Sequence, residues 1–180
     1  MEIKQIQSIE GANYYSYRPI IRAIVDLREL KERMTNEFKG FNSRLVKHLP
    51  GLREHYCSRG KPGGFIERLE EGTLFGHVLE HVTIELLLLS GQKVRYGKTM
   101  RYSDDGSLYE IIYNYESKPG AVEAISQAAQ LIEDLLNKKA VNVKDIVDRI
   151  KKVDLEKGFG PSTRAIVEAC KERGIPVMRL

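Results

Sequence analysis

Residues 73–90 read Thr-Leu-Phe-Gly-His-Val-Leu-Glu-His-Val-Thr-Ile-Glu-Leu-Leu-Leu-Leu-Ser. A helix of this composition is apolar almost all the way round, which places it inside the molecule. Four ionisable residues interrupt it: His77, Glu80, His81 and Glu85. At about 100° per residue they fall on one strip of the helix, about 140° wide. Ionisable groups in a core cost several kcal/mol unless they are paired, neutralised or bound to a metal. The order His77-x-x-Glu80-His81 is the inverted zinc-peptidase pattern, two imidazoles one turn apart with a carboxylate beside them.

Two histidines at i and i+4 stand about 6 Å apart along a helix axis. Both rings can then reach one zinc ion at about 2.0–2.1 Å. Glu80 is placed to take a proton from a zinc-bound water, whose pKa the metal lowers toward about 7. A catalytic zinc also needs a third protein ligand. Glu85 shares the strip but lies about 12 Å along the axis from His77. It is a ligand if the helix bends, and otherwise supports a ligand histidine from one shell further out. His55, Asp104, Asp105 and Glu110 are the other candidates. The competing reading is a buried histidine pair satisfied by neighbouring carboxylates and backbone, with no catalysis.

Around this helix the chain alternates short strands and amphipathic helices. Strands are expected over residues 2–9 and 20–27, the second rich in β-branched residues. Residues 28–34 form a short helix or turn, and 41–49 a helix stopped by Pro50. Residues 51–64 form a loop and 65–71 a short helix. Thr73 is the expected cap of the central helix and Gly91 its stop. Residues 93–96 read as a strand, 103–107 as a turn and 108–115 as a strand with Ile111, Tyr113 and Tyr115 on one face. Helices follow over 119–136, 143–153 and 161–173, the last opened by Pro161. Residues 177–180 read as a closing strand. The fold class is α+β: a small, mostly antiparallel sheet packed with about five helices, including one long buried central helix.

Composition sets limits. The 180 residues are 42% hydrophobic and 30% charged, the balance of a globular domain rather than a disordered chain. The longest apolar run, residues 86–89, is far too short to span a membrane. Cys57 and Cys170 lie far apart, have no metal-knuckle spacing, and read as free thiols in a reducing cytoplasm. A net charge of +4 raises a nucleic-acid-binding reading, but there is no run of Lys and Arg and no aromatic-basic interleaving. The loop 57–64 carries Arg59 and Lys61 among glycines, a composition suited to an anion. Arg95, Lys98 and Arg101 form a second basic group. No phosphate-binding Gly-x-x-x-x-Gly-Lys-[Ser/Thr] loop occurs.

Several segments together resemble one family. They are Gly11-Ala-Asn-Tyr-Tyr-Ser16, Leu49-Pro-Gly-Leu-Arg-Glu-His-Tyr-Cys-Ser58, Gly63-Gly-Phe-Ile-Glu-Arg-Leu-Glu-Glu-Gly-Thr73, Gly76-His-Val-Leu-Glu-His-Val-Thr-Ile-Glu-Leu86 and Gly160-Pro-Ser-Thr-Arg-Ala-Ile-Val167. In this order they resemble the N-terminal domain of cyanophycin synthetases, which build an aspartate backbone carrying arginine on its side-chain carboxylates. The resemblance implies that ATP-grasp and Mur-ligase-like modules lie beyond this segment, so that residues 1–160 form the N-terminal domain and 161–180 lead toward the ATP-grasp module. It implies a cytoplasmic parent protein that assembles as a homo-oligomer. It also implies that this segment has no ATP site and holds the growing polymer, with no membrane or nucleic-acid partner. Some members are thought to trim polymer into primers at a metal-dependent peptidase site, which would fall on His77, Glu80 and His81, with zinc as the expected metal. For the polymer, Arg59, Lys61, Lys98 and Arg101 are expected to meet carboxylates, and Asp104 and Asp105 arginine side chains. The alternative is a docking domain with a degenerate, non-catalytic site.

Overall fold

A computed structural model describes residues 1–175 and Val177. Its centre is a four-stranded sheet, with β1 (Glu2–Ile9), β2 (Ile20–Asp26), β3 (Gly97–Arg101) and β4 (Leu108–Asn114) in the order β1-β2-β4-β3. Every neighbouring pair is antiparallel. The helices among the described residues are α1 (Phe41–His48), α2 (Gly64–Glu71), α3 (Phe75–Leu89), α4 (Lys118–Leu136), α5 (Val143–Lys157) and α6 (Pro161–Glu172). This is the α+β architecture expected from the alternation of patterns.

Register decides which side chains meet the helices. Ile21, Ala23 and Val25 on β2 stand opposite Tyr113, Ile111 and Tyr109 on β4, and all six belong to the main core. On that face α3 packs over β3 and β4, while α4 packs over β1 and β2 and against α3. The opposite face buries Ile20, Ile24 and Ile112 and holds an ion pair between Arg22 and Glu110. Twelve of the residues of α3 are buried, so the all-round apolar helix is internal as its composition requires.

Four local expectations change. Residues 93–96 form no strand, because Asn114 Oδ1 accepts from the backbone N–H groups of Arg95 (3.2 Å) and Tyr96 (2.9 Å). A side chain there takes the place of a ladder, and the strand begins at Gly97. Thr73 is not the cap of α3; Leu74 holds that position. The loop 51–64 contains two 3-10 turns, Pro50–Glu54 and Cys57–Arg59. Helix α5 continues to Lys157, past the expected end at 153. The closing strand expected over 177–180 lies outside the described residues apart from Val177.

Candidate metal centre

The first turns of α3 present His77 and His81 toward the 3-10 turn at Cys57. One ligand atom from each of Cys57, His77 and His81 lies within 4.8 Å of the other two. Cys57 Sγ is 3.3 Å from His77 Nε2. Cys57 has φ of 59°, a left-handed conformation that costs a non-glycine residue energy. Phe65 of α2 stacks on the His81 ring at a centroid distance of 4.1 Å and meets His77 edge-on. These contacts fix both imidazole planes.

Hydrogen bonds then select the ring nitrogens. His77 Nδ1 lies 3.0 Å from Thr73 Oγ1, so with Nδ1–H donating to that hydroxyl the Nε2 lone pair faces Cys57. His81 Nδ1 lies 2.9 Å from His55 Nδ1, and His55 Nε2 lies 3.0 Å from Glu85 Oε2. A carboxylate only accepts, so His55 Nε2 carries a proton. With His55 neutral, its Nδ1 accepts from His81 Nδ1–H, and His81 Nε2 keeps its lone pair. Glu85 itself is packed against Gly51, where a Cβ would run into the carboxylate. Glu85 and His55 therefore stand behind His81, one shell out from the three grouped ligand atoms. Imidazole ligands supported on the far nitrogen by a hydroxyl, carboxylate or second ring are the usual arrangement of metal sites. One thiol and two imidazoles are a donor set suited to zinc, and three protein ligands leave a fourth position open.

Burial sets the charge state of the group. Removal from water pushes the His77 pKa down to about 4, with a further contribution from the Arg68 charge. Burial and then the His77 and His55 rings push His81 down to about 2. Both imidazoles are thus neutral, the form that binds metal. Glu80 goes the other way: burial raises it to about 7, against a hydrogen bond from Thr99 that favours the charged form. Thr99 Oγ1 donates to Glu80 Oε2 at 2.6 Å, and Glu80 Oε1 is 3.9 Å from His81 Nε2. Gly97 leaves room for that carboxylate, since a Cβ there would stand 2.6 Å from Glu80 Oε1.

The group opens into a cleft of about 640 Å³ whose lining includes Arg68, Lys98, Arg101, Thr99 and Tyr109. Of the four expected carboxylate-binding cations, Lys98 and Arg101 line it. Arg59 and Lys61 do not; they pair with Glu71 and Glu67 on α2. Asp105 is bound into its own turn by Ser103 and Ser107 and pairs with Lys31. Glu110 is across the sheet with Arg22, away from the histidines.

Residues 22–137 match the cyanophycin synthase-like N-terminal domain family. The chain belongs to that family. Cyanophycin synthetases of Trichormus variabilis and of a Nostoc species are each 39% identical over 100% of this chain and 20% of their own length. The cyanophycin synthetase of Geminocystis herdmanii is 35% identical over 100% of this chain and 21% of its own length. The chain thus spans about a fifth of the length of these relatives. Among its described residues no helix is long and apolar enough to cross a membrane. In this cyanophycin synthase-like domain, sequence reasoning missed Cys57 as a member of the group. Its position two residues after His55, within the turn-forming Cys57-Ser-Arg-Gly60, was the available signal.

Proposed function

We propose that the domain binds zinc on Cys57, His77 and His81 and hydrolyses amide bonds of an aspartate–arginine polymer held in the adjoining cleft. The observation that carries this reading is the grouping of those three ligand atoms within 4.8 Å beside the carboxylate of Glu80. A zinc ion there supplies a Lewis acid and a bound water of lowered pKa. Glu80, as a carboxylate, accepts a proton from the attacking water as the oxygen–carbon bond forms. It returns that proton to the departing amine nitrogen as the carbon–nitrogen bond breaks. Thr99 holds one oxygen of Glu80 so that the other faces His81. His55 and Glu85 hold His81, and Thr73 holds His77. Lys98 and Arg101 at the cleft attract the carboxylates of the polymer.

By this reading the products are short primers for the ligase modules of a longer cytoplasmic, homo-oligomeric parent. The domain itself neither binds ATP nor ligates, and residues 161–180 connect it to the module that follows. A docking role without hydrolysis is the second reading, supported by the cationic lining of the cleft. Metal analysis and polymer cleavage separate the two. Wild type is expected to carry one zinc per chain and to release fragments. His77→Ala and Cys57→Ser are expected to lose metal. Glu80→Gln is expected to keep metal and polymer binding while cleavage falls by about 100-fold or more. Equal cleavage by wild type and Glu80→Gln removes Glu80 from the reaction; binding with no cleavage by wild type leaves docking alone.

A further inference from the structure

Two hydrogen-bond donors of residues that line the cleft have no partner among the described residues. Arg68 lines the cleft, and its buried Nε has no hydrogen-bond partner. Among the described residues no carboxylate pairs with it, whereas Arg59, Lys61 and Arg101 are matched by Glu71, Glu67 and Glu32. Cys57, His77 and His81 line the same cleft, so Arg68 shares it with the candidate metal group. Tyr109 also lines the cleft, is 2% exposed, and its buried hydroxyl has no partner. Buried polar groups are rarely left unmatched, because each one costs the hydrogen bonds it had in water. Both residues line the same cleft, which points to a ligand there that completes them. Among the described residues the only carboxylate lining that cleft is Glu80, which Thr99 already engages.

We infer that Arg68 and Tyr109 form a substrate subsite: Arg68 binds a carboxylate of the peptide chain, and the Tyr109 hydroxyl donates to a carbonyl oxygen of the same chain. A guanidinium matches a carboxylate with two parallel N–H donors, which suits an anionic ligand better than a neutral one. A phenol hydroxyl donates to an amide carbonyl whether or not the chain is charged. The subsite thus selects chains with a free carboxylate near the amide presented to Glu80. It deepens the hydrolytic reading above and rests on the same cleft.

The test uses the full chain in the presence of a chelator, with binding measured by calorimetry. One probe is N-acetyl-aspartyl amide joined through its side-chain carboxyl to arginine. The other is the same compound with the arginine carboxyl amidated. Wild type is expected to bind the acid about tenfold or more tightly than the amide, as a charge-assisted bond requires. Arg68→Gln is expected to bring that ratio close to one, with Arg68→Lys between. Tyr109→Phe is expected to weaken both probes about two- to tenfold and to leave the ratio unchanged. An acid-to-amide ratio in Arg68→Gln equal to that of wild type overturns the assignment of Arg68. Unchanged affinities in Tyr109→Phe overturn that of Tyr109. If Arg68→Gln fails to fold, the Nε–H resonance of Arg68 in wild type serves instead: it must shift with the acid and not with the amide. Because no metal is needed for binding, an intact ratio without cleavage in the zinc-loaded protein sinks only the hydrolytic reading, and cleavage with no ratio sinks only the subsite.

Discussion

Gly51 shows how closely a single residue is tied to the candidate centre from outside it. It sits in the 3-10 turn ahead of His55, and a Cβ at that position would overlap the carboxylate of Glu85. Glu85 accepts from His55, and His55 faces His81. Gly51→Ala is therefore expected to displace Glu85 and release the support behind His81. Overpacking of this kind costs about 1–3 kcal/mol of stability. Loss of a supporting partner behind a metal ligand lowers metal affinity by about 10- to 100-fold. Urea unfolding and zinc titration of Gly51→Ala measure the two effects. A stability loss with unchanged zinc affinity would separate Glu85 from the centre.

At the scale of elements, the junction of α3, α4 and α5 depends on one buried carboxylate. Asp154 of α5 accepts from the backbone N–H of Gly120 in the first turn of α4 (2.5 Å) and from Gln92 Nε2 (3.1 Å). Gln92 Oε1 in turn accepts from the N–H groups of Glu116 and Ser117, just before α4. A negative group at a helix N-terminus is favourable, and its removal leaves buried donors unmatched. Asp154→Ala is expected to cost about 2–4 kcal/mol, and Asp154→Asn less. A urea midpoint close to that of wild type would show that the network is dispensable. None of this was legible in the sequence, where Asp154 is one acidic residue just past the expected end of a helix at 153. What was legible had a strong local cause. The all-apolar segment with its polar strip became α3, and the β-branched run became β2. Cys57 escaped because a thiol in a glycine-rich loop has no periodicity, and only the turn at φ of 59° aims it at His77. Residues 93–96 misled because their apolar residues alternate, whereas the side chain of Asn114 takes their backbone donors.

For the whole molecule, burying a polar strip in the core links its folding to pH. In chelator, His77 and His81 are held neutral, with folded pKa values of about 4 and about 2 against an ordinary 6.5. Between those values and 6.5 the unfolded chain takes up protons that the native chain refuses. Stability from the histidines is therefore complete above about pH 6.5 and is lost as pH falls below it. Glu80 acts in the opposite sense, because its folded value of about 7 lies above the ordinary 4.5. The native chain keeps that proton while the unfolded chain has released it, so its contribution is complete below pH 4.5 and is lost as pH rises toward 7. Between pH 4.5 and 6.5 the two effects oppose each other, and two histidines outweigh one carboxylate. Each proton of difference changes stability by about 1.4 kcal/mol per pH unit at most. Wild type is expected to gain up to about 1.4 kcal/mol per unit across this window from these groups, and Glu80→Gln up to about twice that. Between pH 6.5 and 8 wild type should lose the remaining Glu80 contribution while Glu80→Gln stays level. Urea midpoints of both proteins at pH 5, 6.5 and 8 decide it. Parallel pH curves would mean that Glu80 is not held neutral by burial, and the carboxylate beside His81 would then lose its reason for titrating near neutrality.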